Sequence, residues 1–169
     1  MRVLDGFTRA LSVIAGVLLG AVAVGIATDI TYRYITNRSL PGIIEYSEVA
    51  LVAMAYLAFP YAERQMAHIR VDSITGLLPR RVRLVVITIA YVPVIVIIGY
   101  FAWVSGVEAL HSWEIGEYRL GTVQVPIWPA RVIIPISFFL VALQLIATLA
   151  RKWLTERKDG TARLAGEAA

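Results

Sequence analysis

Four apolar stretches separated by short polar ones organise this chain. Uncharged runs of 19, 24 and 19 residues lie between Arg9 and Asp29, between Arg83 and Glu108, and between Arg131 and Arg151. At 1.5 Å rise per residue, each can cross a hydrocarbon core about 30 Å thick. One further stretch is less clean. Residues 49–62 give only 14 uncharged positions, and extending back to Ile43 reaches 20 by including Glu45 and Glu48. The pattern predicts an all-α membrane protein with four transmembrane helices, over about residues 10–30, 43–63, 84–109 and 130–150. Together they form a membrane domain over residues 1–154. Residues 155–169 are polar and small, without apolar period, and are expected to be a flexible cytoplasmic tail.

Composition agrees with this reading. The chain is 59% hydrophobic and 17% charged, with a mean hydropathy of +0.72, against roughly half apolar and a quarter charged in a soluble domain. Cysteine is absent, which excludes disulfides and thiolate metal sites. The net charge of +4 is read by position and not as a nucleic-acid footprint. Of sixteen basic residues, twelve fall before the first span, between the second and third, or after the fourth. Only Arg33, Arg38, Arg119 and Arg131 fall on the other side. The positive-inside rule then places both termini and the Arg64–Arg83 segment in the cytoplasm. The triplet Ala21-Val22-Ala23 resembles a signal-peptide cleavage site. The apolar run continues through Ala27 and Asp5 dilutes the basic start, so the segment is read as a retained span.

The helix faces offer packing surfaces. Gly16, Gly20, Ala23 and Ala27 form a small-residue stripe, as do Gly99, Ala102, Gly106 and Ala109, while Ala55, Ala58 and Ala62 share a side of the second helix. Such stripes let backbones approach closely in lipid, within one chain or against a partner. Pro60, Pro93 and Pro135 each remove a backbone donor from an apolar span. Ser137, Gln144 and Thr148 make a thin polar stripe suited to interhelical hydrogen bonds. Trp113, Trp128 and Trp153 sit near span ends, where indole rings anchor at the interface.

Candidate chemistry is sparse. His68 and His111 are separated by a 24-residue uncharged run, about 36 Å of helix, so one haem or metal cannot join them. No histidine–carboxylate ligand spacing compensates, and no cofactor is expected in this chain. Glu45 and Glu48 neighbour each other at the start of the second span, within reach of Arg33 or Arg38. No carboxylate is predicted near mid-membrane, where an ion relay would need one. Arg64, His68 and Asp72 recur every four residues and would form one polar ridge if helix continues past Ala62. That ridge is either a solvated loop or a fixed contact with a partner or lipid.

The stretch "IIEYSEVALVAMAYLAFPYAERQMAHIRVD", residues 43–72, resembles the small integral-membrane (DctQ-type) subunit of tripartite ATP-independent periplasmic (TRAP) transporters. Glu48, Arg64, His68, Ile69, Val71 and Asp72 stand at that family's matching positions. Pro126, Trp128 and Pro135 in "GTVQVPIWPARVIIPISFFLVALQL" are similar to its Pro-x-Trp entry into the last span, while Pro60 stands where many relatives carry glycine. The resemblance implies a multi-pass scaffold in the bacterial inner membrane, and not an enzyme. Its partners would be a large membrane subunit holding the substrate and Na+ sites, a periplasmic solute-binding protein, and membrane lipids. The cargo would be an organic acid such as a dicarboxylate, keto acid or sugar acid. Glu48, Arg64, His68, Asp72 and Trp128 thereby become contact candidates, with Arg33 or Arg38 expected beside Glu48 from its place near the non-cytoplasmic interface. Two other classes stay open from the residues: a free-standing small ion-coupled transporter, and the membrane anchor of a respiratory enzyme.

Overall fold

The computed structural model describes the backbone of residues 2–75 and 79–167, and the side chains of residues 6–65, 79 and 82–154. Four helices carry it: α1 (Arg2–Thr36), α2 (Ile43–Thr75), α3 (Arg80–Glu114) and α4 (Trp128–Glu167). Each contains a segment long and apolar enough to cross a membrane. Between α3 and α4 lies a small antiparallel hairpin, β1 (Tyr118–Arg119) and β2 (Val125–Pro126), paired Tyr118 to Pro126 and Arg119 to Val125.

All four helices outrun the expected spans, α2 and α4 furthest at their C-terminal ends. The second continues to Thr75, past the expected end near 63, because residues 63–75 are polar but contain neither Gly nor Pro. Polarity ends a membrane span; it does not end a helix. α4 likewise continues to Glu167, through most of the segment expected to be a flexible tail, although that segment contains Gly160 and Gly166.

The helices form a row. α1 packs on α2, α2 on α4, and α4 on α3, while α2 barely touches α3. The row order is therefore α1–α2–α4–α3, with two broad open faces. On α1, Thr8, Ala15, Val22 and Asp29 are buried at intervals of seven, and Leu11, Leu18 and Gly25 are half-buried beside them. This is the seam of a long heptad contact. Across α3 and α4, the core consists of Ile87, Tyr91, Val141 and Leu145, with Phe59 of α2 packed against it.

Polar groups lock neighbouring helices together. Pro60 is fully buried and supplies no N–H, so the carbonyl of Tyr56, four residues back, loses its helical donor. The Ser137 hydroxyl of α4 donates to that carbonyl at 2.6 Å. Farther along, the Trp153 indole N–H donates to the Thr88 hydroxyl at 3.1 Å, joining α4 to α3. Of the expected polar stripe, Ser137 thus bonds across helices, whereas Thr148 bonds the Gln144 carbonyl of its own helix. Gln144 is buried, and its amide has no hydrogen-bond partner among the described residues.

Candidate partner interfaces on the helix row

A bonded cluster of polar residues lies at the end of the row that carries the hairpin. Asp29 is almost fully buried near the end of α1 and organises the connection to α2. Its carboxylate accepts from the Leu40 backbone N–H at 2.7 Å, the Ser39 hydroxyl at 2.9 Å and the Arg33 guanidinium at 2.8 Å. Asn37, at φ 55, ends α1 in the left-handed conformation and donates to the Arg33 carbonyl.

The hairpin is pinned onto the first turns of α2. The Glu45 carboxylate, itself buried, accepts from the Thr122 backbone N–H at 2.7 Å. Gly121 makes this approach possible: a Cβ there would lie 2.6 Å from Glu45 Oε1 and 2.7 Å from its Cγ. Glu48 lies one turn on and meets the Arg119 guanidinium as a charge contact without hydrogen-bond alignment. Arg131, in the first turn of α4, bridges Glu108 of α3 and Glu117 of the hairpin segment. Trp113 and Trp128 close the same end, with ring centroids 4.3 Å apart and edge to face.

These contacts correct the expected pairing of Glu48 with Arg33 or Arg38. Arg33 goes to Asp29, and the Thr36 hydroxyl bonds the backbone of Arg38. The reason is local geometry: Asp29 lies one helical turn before Arg33, so that pair forms inside α1. The sequence marks Glu45 only as the neighbour of Glu48, and it does not mark Asp29, Arg119 or Arg131 as site residues. The sequence signals for them were the Asp29/Arg33 spacing and the Gly116 and Gly121 that bracket a short alternating run.

At the opposite end, Arg64 lies on α2 and is half-buried, with contacts inside the chain. His68 and Asp72 fall on the same helix, so the four-residue ridge is helical, but their side chains lie outside the described residues. No group of His, Cys or acidic residues able to hold a metal occurs among the described residues.

The small-residue stripes divide by use. Gly16 and Gly20 are exposed, and nothing lies within 4 Å of a Cβ built on either. By heptad position they point away from the seam with α2. Gly106 instead faces Pro135 of α4 at 3.8 Å. Gly99 lines a hollow of about 440 Å³ with Trp103, Pro135 and Phe139. Ala55 lines another of about 380 Å³ with Tyr56, Phe59 and Phe138, and Ala58 is half-buried nearby on α2. Both linings are apolar.

Residues 22–155 match the family model described as tripartite ATP-independent periplasmic transporters, DctQ component. The chain belongs to the DctQ family. It is therefore a small membrane subunit of a TRAP transporter, a component of a transport system and not a member of an enzyme family. The match includes the whole hairpin end described above and begins part-way along α1, at residue 22. No curated protein matches the chain. As a DctQ component it is a multi-pass membrane protein whose family works with a large TRAP subunit and a periplasmic binding protein.

Proposed function

We propose that this chain is the non-conducting scaffold of a sodium-coupled TRAP importer for an organic acid of the dicarboxylate, keto-acid or sugar-acid class. It sits in the bacterial inner membrane with both termini in the cytoplasm. The large subunit carries the substrate and Na+ sites, and this chain flanks it without a cofactor of its own. The observation that carries the reading is the open row. Its helices bury little of their surface against one another, and the Gly16/Gly20 stripe faces outward with nothing against it. Such a stripe is the surface on which a partner helix packs closely in lipid. The hollows beside Gly99 and beside Ala55 are apolar, which suits helix or acyl packing.

In this reading the two ends have different tasks. The hairpin end, fixed by Asp29, Glu45, Glu48–Arg119, Arg131 and Trp128, is the rigid platform that helps dock the binding protein. The ridge of Arg64, His68 and Asp72 holds the cytoplasmic end of α2 against the large subunit or lipid phosphates. Co-purification tests the assignment. The tagged chain should capture the large subunit from detergent extracts, and Gly16→Leu with Gly20→Leu should lower capture severalfold without changing the chain's own unfolding. Full capture by that variant would remove the stripe from the interface. Failure of the unmodified chain to capture a large subunit would overturn the scaffold reading.

A further inference from the structure

The charge-free bands of the four helices do not lie at the same height in the row. Cross-helix bonds fix the heights. Ser137 stands level with Tyr56, so seven residues on, Gln144 stands level with Glu63. Arg131 is level with Glu108, and Trp153 with Thr88, so Ile97 is level with Leu143. The bond from Leu40 N–H, just before α2, to Asp29 sets Asp29, two turns before the end of α1, level with the start of α2, which places Ala10 level with Ala62.

With heights fixed, the boundaries form a staircase. At the end of the row where the termini lie, α1 and α2 become charged at Arg9 and Glu63, both at the height of Gln144. On α4 the first charge is Arg151, seven residues or about 10 Å farther on. On α3 it is Arg83, about 20 Å farther. The hairpin end steps in the same sense: Asp29 of α1 stands about 11 Å beyond the level of Glu108 and Arg131. Midpoints of the bands shift steadily along α1–α2–α4–α3, by about 16 Å in all.

A flat bilayer must cover all four bands at once. With neighbouring axes about 9 Å apart, the row is about 27 Å wide. A shift of about 16 Å across that width corresponds to roughly 30° of tilt, inside the range of about 0–40° found for membrane helices. We infer that the row lies inclined in the bilayer, its helices leaning within the plane of the row so that the α1 edge is displaced toward the termini side and the α3 edge toward the hairpin side. The surface that the chain offers to lipid is therefore an oblique band crossing both faces of the row. The inference rests on charge positions and cross-helix bonds, and is independent of the partner proposed above.

Seven exposed positions test it, in a chain that contains no cysteine to remove. Ala10, Ala62, Leu143 and Ile97 stand at one height; Gly20, Val52 and Val107 stand at a second, nearer the hairpin. Single cysteines at these sites in the full chain carry a nitroxide in phospholipid nanodiscs, and depth is read from relaxation by oxygen against a water-soluble nickel chelate. The inclined row places Ala10 near the headgroups and Ile97 near the bilayer centre, more than about 10 Å apart in depth. In the second set the order reverses, with Gly20 deep and Val107 shallow. Equal depths within each set would mean an upright row. A gradient in one set alone would mean a bilayer deformed around an upright row; either result overturns the inference. Circular dichroism of each labelled variant verifies that helix content is unchanged before its depth is compared.

Discussion

The Ser137 hydroxyl donates at 2.6 Å to the Tyr56 carbonyl, the acceptor that Pro60 leaves without a helical partner. Two sequence features from different helices thus complete one hydrogen bond, in a span where water offers no substitute. Ser137→Ala should destabilise the chain by about 1–2 kcal/mol. Pro60→Ala restores the N–H to α2, so Ser137→Ala should cost less in that background. A double-mutant cycle by detergent unfolding measures the difference; equal costs in both backgrounds would show that the two residues are uncoupled.

Gly121 lies against Glu45 so closely that a methyl group has no space. Gly121→Ala should lift the hairpin from α2 and break the Thr122 bond, costing about 1–3 kcal/mol. Hydrogen exchange at the Thr122 amide should accelerate in this variant, while the α3–α4 core amides keep their protection. Unchanged exchange at Thr122 would mean that the hairpin is held elsewhere.

Asp29 satisfies a backbone N–H, a hydroxyl and a guanidinium at once. Asp29→Ala strands these donors and should cost about 2–3 kcal/mol; Asp29→Asn retains a neutral acceptor and should cost less. Exchange at Leu40 is the local readout, and the alanine variant should lose protection there first.

Glu48 and Arg119 are both partly exposed, so their contact is worth at most about 1 kcal/mol and should weaken with salt. Replacing Glu48 by Arg should loosen the hairpin at low ionic strength, and adding Arg119→Glu should restore it. Protease cleavage within residues 115–127 measures this, and absence of rescue by the swap would argue against a direct charge contact.

The four spans were legible because a membrane helix is declared by a run of uncharged residues, which neighbours in sequence define. Helix ends were less legible. Residues 63–75 and 155–167 are polar yet helix-compatible, so the pattern marked where the apolar band stops and not where the backbone turns. The hairpin and its anchors were not visible because Glu45 meets Thr122, and Tyr56 meets Ser137, across 77 and 81 residues of chain. No local period records such pairs. Sequence proximity points Glu48 toward Arg33 or Arg38, and the fold brings Arg119 instead. Membership of the DctQ family was legible from residues 43–72, since the acidic start and the Arg–His–Asp spacing do not depend on packing.

Transport by purified components bears most directly on the central claim, that this chain lends shape and carries no solute. Liposomes containing the chain alone, with an inward Na+ gradient and labelled organic acids outside, should take up nothing above empty vesicles. Uptake should begin only when the large subunit and the binding protein are added. Sustained, sodium-dependent accumulation by vesicles holding this chain and no other protein would contradict the account.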